Sequence, residues 1–176
     1  VTSSLASGSD NHTCAIVDPG EVKCWGSNAY GQLGQGDNNS LSWPTTVDLG
    51  DNNYAKEVKA GGSHTCAVLN DGSVKCWGYN GNGQLGDGTN LSRSSPVEID
   101  LASASASLPA NISATSITTG LMHTCALLEN GYLLCWGANN NGSLGIGNTY
   151  QADSPQVVSA STKYLSVDAG AYFTCA

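Results

Sequence analysis

HTCAVLNDGSVKCWGYNGNGQLGDG, residues 64 to 88, is one copy of a unit that occurs three times and then opens a fourth. The earlier copy runs from His12 through Cys24-Trp25-Gly26 to Gly31-Gln32-Leu33-Gly34. The later one runs from His123 through Cys135-Trp136-Gly137 to Gly142-Ser143-Leu144-Gly145, and a fourth begins at Phe173-Thr174-Cys175-Ala176. The first cysteines, Cys14, Cys66, Cys125 and Cys175, are 52, 59 and 50 residues apart. Repeats of this size are stacked or radial supersecondary units. Within each unit short apolar runs alternate with Gly, Asn, Asp and Ser clusters, and no window carries the apolar periodicity of a long amphipathic helix. The chain therefore reads as all-β, with about four antiparallel strands per unit, the size of one propeller blade.

Approximate units are 1–53, 54–112, 113–162 and the opening of a fourth at 163–176, together one repeat array over 1–176. The segment from Asp100 to Ser116, DLASASASLPANISATS, accounts for the longer interval and reads as an inserted surface loop of small residues, overlapping the next unit. Closed propellers have about four to eight blades. Three units and part of another are thus expected to belong to a longer chain or to an assembly that completes the ring.

Six of the seven cysteines form three pairs with identical separation: Cys14 with Cys24, Cys66 with Cys76, and Cys125 with Cys135. In the middle copy Asn70-Asp71-Gly72 suits a three-residue hairpin loop whose Gly takes the left-handed position. That loop pairs Leu69 with Ser73, and counting outward sets Cys66 opposite Cys76 at a non-hydrogen-bonded site, where side chains approach closely enough for a disulfide. Glu129-Asn130-Gly131 gives the same register in the third copy. In the first, Pro19 falls at a turn position that a type I turn disfavours, so a different turn is expected there around the same pairing. Reduced core thiols and a zinc site are the other readings; structural zinc sites use tighter Cys spacing. Stapled hairpins belong to an oxidising compartment, which predicts a secreted or cell-surface location. Cys175 is left over, as half of a pair whose partner lies further along or as an intermolecular contact.

The repeated residues, HTCA, then DG-x-VKCWG, then N-x-x-G-QLG-x-G, closely resemble the regulator of chromosome condensation repeat over nearly the whole chain. The resemblance implies a β-propeller, classically seven-bladed, in a family that ranges from nuclear exchange factors to secreted binding proteins. The paired cysteines depart from the common nuclear pattern, so nuclear nucleotide exchange is not carried over.

Charge and motifs narrow the function. Fourteen acidic against six basic residues give a formal net charge of −8, which repels a phosphate backbone and argues against nucleic acid. No apolar run approaches the ~20 residues of a membrane span. The chain begins at Val1 with no secretion-signal pattern, so any signal is expected to have been removed or to lie outside this sequence. His12, His64 and His123 occupy one repeat slot, which predicts packing or hydrogen bonding rather than a metal ring. Trp25, Trp77 and Trp136 read as inter-blade core. The glycine-rich segments Gly31–Gly36, Gly83–Gly88 and Gly142–Gly147 lack the Lys-Ser/Thr ending of a phosphate loop and read as tight turns, with Leu33, Leu85 and Leu144 plugged between blades. Asp37 and Asp87 form no calcium loop. No nucleophile elbow or other catalytic constellation is present, so no enzyme, cofactor or metal is expected.

Five Asn-x-Ser/Thr sequons, at Asn11, Asn38, Asn90, Asn111 and Asn141, offer N-glycosylation acceptors. Asn38, Asn90 and Asn111 lie in predicted loops, while Asn11 abuts a hairpin and Asn141 precedes Leu144. Repeat-varying aromatic and charged positions, Trp43, Tyr54, Tyr79, Arg93 and Tyr150, are candidate partner contacts. The leading expectation is a non-enzymatic extracellular scaffold in a cell-surface, matrix or filamentous assembly. Its partners would be other copies or other surface proteins, with glycans as a further class. The alternative is a secreted protein-binding module or enzyme inhibitor acting through loops on one propeller face.

Overall fold

The computed structural model describes residues 4–176; the opening of the first unit, residues 1–3, lies outside the described residues. Three four-stranded antiparallel sheets follow one another along the chain, then a two-stranded one. The first blade comprises β1 (Leu5–Gly8), β2 (His12–Val17), β3 (Glu21–Gly26) and β4 (Leu41–Thr46). The second comprises β5 (Ala55–Ala60), β6 (His64–Leu69), β7 (Val74–Gly78) and β8 (Arg93–Glu98). The third has β9 (Ala114–Thr119), β10 (His123–Leu128), β11 (Leu133–Gly137) and β12 (Ala152–Val157), and the partial fourth pairs β13 (Asp168–Ala169) with β14 (Thr174–Cys175). Strands lie in sequence order across each sheet, so every blade is a meander.

The hairpin turns explain the register. Leu69 N–H donates to Ser73 O at 2.9 Å and Gly72 N–H to Leu69 O at 3.0 Å, with Gly72 at φ +86°. Glycine enters that left-handed region at no steric cost, and here a Cβ would also collide with Ser113. From there the ladder runs through Val68↔Val74 and Ala67↔Lys75 to Cys66↔Cys76. In the first blade a cis Asp18–Pro19 bond makes a different turn, while Val17↔Glu21 and Cys14↔Cys24 keep the spacing. Disulfides join Cys14 to Cys24, Cys66 to Cys76 and Cys125 to Cys135, with Cα atoms 4.2, 4.1 and 4.1 Å apart.

Burial follows the stacking of blades. HTCAVL in β6 and HTCALL in β10 are buried at every residue because a neighbouring blade covers each face of their sheets. HTCAIV in β2, with a neighbour on one face, alternates between buried and half-buried. Between the first two blades the core contains Leu33, Val58, Leu69 and Trp77, and the next interface holds Leu85, Ile117, Leu128 and Trp136. Trp25, in the first blade, is half-buried where its two counterparts are fully enclosed.

The insertion differs from its reading as a solvated loop over Asp100–Ser116. Strand β9 already begins at Ala114, so the last three residues belong to the third blade. Leu101, Leu108 and Ile112 are buried against the second interface. A single 3-10 turn at Ala102–Ala104 starts the segment, with Asp100 Oδ1 accepting from the Ala102 and Ser103 amides. Three large apolar side chains among many alanines and serines are enough to fold the insertion back onto the core.

Candidate binding surface

The meander divides the connections between the two ends of the blades. At one end lie the tight turns 9–11, 61–63 and 120–122 and the long loops 27–40, 79–92 and 138–151; at the other lie the hairpin turns and the blade-to-blade crossings. Each long loop is built around a fully buried asparagine two residues after Trp-Gly. Asn80 Oδ1 accepts the Leu85 amide at 2.9 Å, and its Nδ2 donates to Thr89 O at 2.9 Å, Leu91 O at 3.2 Å and Asp87 Oδ1 at 3.1 Å. Asn28 and Asn139 make the corresponding bonds to the amides of Leu33 and Leu144, at 2.9 and 3.0 Å, and to carbonyls further along their loops. One side chain thus satisfies backbone groups at both ends of a loop that has no sheet to pair with. It also drives the leucine into the next interface.

A second repeated network ties blade to blade. Thr65 Oγ1 donates to Gln32 O at 2.9 Å, and Trp77 Nε1 donates to the same carbonyl at 2.9 Å. The next interface repeats this, with Thr124 and Trp136 donating to Gln84 O at 2.8 and 3.0 Å. His12 Nε2 lies 3.0 Å from Thr65 Oγ1, His64 Nε2 3.0 Å from Thr124 Oγ1, and His123 Nε2 3.0 Å from Thr174 Oγ1. Burial pushes the imidazoles of His12 and His64 down to about 4 and about 3; a neighbouring Asp10 partly offsets the effect at His12, and His12 and His123 reinforce it at His64. Burial also lowers His123.

Amide bonds join the same edges: Gly62 N–H reaches Leu121 O at 3.1 Å, Leu121 N–H reaches Ala171 O at 3.0 Å, and Gly88 N–H reaches Asp153 O at 2.9 Å. The loop end is therefore held by its own asparagines and by its neighbours.

On this frame stand Tyr30 and Tyr79, ring centroids 4.8 Å apart and tilted by 59°. Further round are Met122, Tyr150 and Tyr172, all exposed. A small cleft of about 110 Å³ opens between Asn82, Met122, Ala138, Asn141 and Tyr172. The six connections at this end and the turn 170–173 there, which carries Tyr172, hold no Lys or Arg, and Asp10, Asp37 and Asp87 are their acids. Hydrogen bonds from the Asn39 amide and side chain hold the Asp37 carboxyl below its usual range. Asp10 accepts from the Ser63 hydroxyl.

The five contact candidates fall on different surfaces. Tyr79 and Tyr150 sit at the loop end, and Tyr54 lies at the opposite end beside Gly20. Trp43 is exposed on the outermost strand β4. Arg93 is committed within the chain, its guanidinium 2.7 Å from Asp87. Tyr30, Met122 and Tyr172 complete the loop-end set; their signal was an aromatic or thioether in a slot that other copies fill with a small or amide residue. The buried asparagines were legible only as a recurrence, Asn28, Asn80 and Asn139 at one distance from Cys-Trp-Gly. All five sequon asparagines are exposed; Asn90 Nδ2 lies 3.5 Å from Asp153 Oδ2, and Asn11 adopts a left-handed backbone at φ +63°. Cys175 is an exposed free thiol. Among the described residues no group of three or more His, Cys, Asp or Glu is placed to hold a metal, and no helix is long and apolar enough to cross a membrane.

Family models for the Regulator of chromosome condensation (RCC1) repeat match residues 3–32, 55–84 and 114–143, and in a second register 19–68, 71–127 and 130–176. The chain belongs to the RCC1 repeat family. The second register begins each unit within a hairpin, so it spans the junction between neighbouring blades. Among relatives, the Ultraviolet-B receptor UVR8 of Arabidopsis thaliana is 32% identical over 157 residues, 89% of this chain and 33% of that protein. The X-linked retinitis pigmentosa GTPase regulator of Homo sapiens is 30% identical over 149 residues, 85% of this chain and 14% of that protein. The chain thus spans a third or less of the length of these relatives. Prp20p of Saccharomyces cerevisiae, whose structure was described with its binding properties to Gsp1p and histones, superposes with a TM-score of 0.81 at 21% identity, covering 97% of this chain and 42% of that one. The repeat is a propeller module whose relatives bear receptor and regulator names.

Proposed function

We propose that this RCC1-repeat segment is a non-catalytic protein-binding module of an extracytoplasmic propeller and engages its partner through the loop end. The observation that carries this reading is the pairing of Tyr30 with Tyr79 on clamped loops rich in Asn, Gly and Ser and free of Lys and Arg. Rigid tyrosines supply contact area at low entropic cost, and small amide and hydroxyl residues supply adaptable hydrogen bonds, the division of labour seen in paratopes. Three disulfides, one in each complete blade, support an oxidising compartment.

The test is a saturable pull-down from the extracellular fraction of the source, comparing wild type with Tyr30→Ala/Tyr79→Ala and with Tyr54→Ala at the other end. Loss of one defined partner with the double variant, and its retention with Tyr54→Ala, is the expected result. Equal capture by all three proteins would overturn the assignment of the loop end. A structural role in a surface assembly is the second reading, in keeping with successive disulfide-stapled blades in one array. Concentration-dependent self-association on native mass measurement would support it.

A further inference from the structure

We propose that His12, His64 and His123 form an acid-sensitive latch between successive blades, closed when the imidazoles are neutral and opened when they take a second proton. The hydrogen-bond directions fix the neutral form. A threonine hydroxyl has one proton, and Thr65 donates its own to Gln32 O, as Thr124 does to Gln84 O. Each hydroxyl oxygen can then only accept from the histidine, so Nε2 carries the imidazole proton and Nδ1 is bare. Nδ1 of His12 and of His64 is buried with no hydrogen-bond partner. Gly8, Gly61 and Gly120 lie flat against the Nδ1–Cε1 edges of His12, His64 and His123, where a Cβ would collide with the ring. A proton added at Nδ1 of His12 or His64 is therefore a buried donor, carrying charge, with no acceptor.

The surroundings offer little compensation. Asp10, beside His12, is the one carboxylate acting on any of the three rings, and it already accepts from Ser63. His64 is faced by His12 and His123, like charges once protonated; His12 is also faced by the His64 carbonyl and His123 by the Phe173 carbonyl, and neither contact outweighs burial. Phe173 occupies the same slot in the fourth unit, with its ring edge against Gly170 as the histidines lie against their glycines. The slot thus accommodates an aromatic ring that cannot titrate.

A histidine held neutral in the fold takes its second proton only on unfolding, so acid favours the unfolded chain. Stability is full above pH 6.5 and declines as pH falls towards the folded values. For His64, with a folded value of about 3, the unfolding constant at pH 4.5 rises about 100-fold over its value at neutral pH.

The test is urea denaturation of the full chain, disulfides intact, at steps from pH 7.5 to 4.5, for wild type, His64→Gln and His64→Phe. Glutamine keeps a donor for Thr124 without titrating, and phenylalanine copies the fourth slot. If one variant does not fold, the other carries the comparison. In either variant the rise in unfolding constant between pH 7.5 and 4.5 should be about 100-fold smaller than in wild type, whatever the variant's stability at neutral pH. Nitrogen NMR of wild type at pH 5 should show His64 still neutral and protonated at Nε2. Wild-type pH dependence in a folded variant, or a doubly protonated His64 at pH 5, would overturn the latch.

Discussion

Replacing Asn80 by alanine removes a side chain that touches no partner and no solvent, yet the loop end depends on it. The Leu85 amide loses its acceptor, and the Thr89 and Leu91 carbonyls lose their donor. The carbonyls lie near the surface and regain water. The Leu85 amide sits beside a leucine that is wholly buried. A buried donor left unpaired costs about 1–3 kcal/mol; with a contribution from the carbonyls, the expected loss is about 2–4 kcal/mol. Asn80→Asp tests the mechanism more sharply. It keeps an oxygen for the Leu85 amide and turns the donor into a second oxygen, facing two carbonyls and Asp87. Its loss at pH 7 should be at least as large, and should shrink in acid as the new carboxylate protonates. Urea denaturation gives the magnitude, amide exchange at Leu85 gives the location, and Asn140→Ala, an exposed asparagine in the next loop, is the control. If Asn80→Ala and Asn140→Ala lose the same amount, or the Leu85 amide exchanges at the wild-type rate, the clamp is not what holds the loop.

Three further outcomes follow from the packing. The Cys66→Ala/Cys76→Ala pair should lower stability by about 3 kcal/mol, the chain-entropy value for closing a loop of ~10 residues, measured by denaturation with and without reductant. Leu85→Ala should cost about 2–5 kcal/mol, the range for an enclosed leucine, whereas Ile146→Ala, at a half-buried position two residues beyond Leu144, should cost clearly less. Partial burial raises the Asp87 carboxyl, but bonds from Thr89 and Arg93 outweigh it and hold the group below its usual range. That stability is present above about pH 4 and is lost as pH falls further. Asp87→Asn should therefore flatten the acid limb below pH 4 and leave the histidine-dependent limb between pH 6.5 and 4.5 unchanged in the same titration.

What could be read from the chain divides along physical lines. The repeat period and the alternation of apolar runs with turn residues set the blade, because strand pairing and turn chemistry are local. Counting outward from Asn70-Asp71-Gly72 gives the register observed in the second blade, since a three-residue turn leaves no freedom in the ladder. Leu33, Leu85 and Leu144 were readable as interface plugs, and all three are buried. The Asn80 clamp was hidden because a polar residue in a glycine-rich stretch looks like any loop residue; its five bonds run to groups up to eleven positions away. The insertion misled for the opposite reason. Its composition is that of a solvated loop, while its fold is decided by Leu101, Leu108 and Ile112, whose spacing has no helical or strand period. The contact candidates could be picked by variation between copies, but not sorted between the two ends without the topology.

The outermost strands bear on how such an array meets other molecules. Pro44, Pro96 and Pro155 occupy the same position in β4, β8 and β12, the edge strand of each sheet. A proline there removes a donor from the open ladder and resists addition of a further strand. One such residue would be incidental; three in register make each blade a poor template for edge-to-edge pairing. Growth by strand addition at the outer rim is thereby disfavoured, and the rim offers a partner few free donors. The loop end presents aromatic rings on backbone whose polar groups are already satisfied by Asn28, Asn80 and Asn139. A partner landing there need not order the loops it touches, which removes part of the entropic cost of association. The same asparagines that stabilise each blade would thus prepare the loop end for the proposed partner, and the edge prolines disfavour the alternative of outer-rim strand addition.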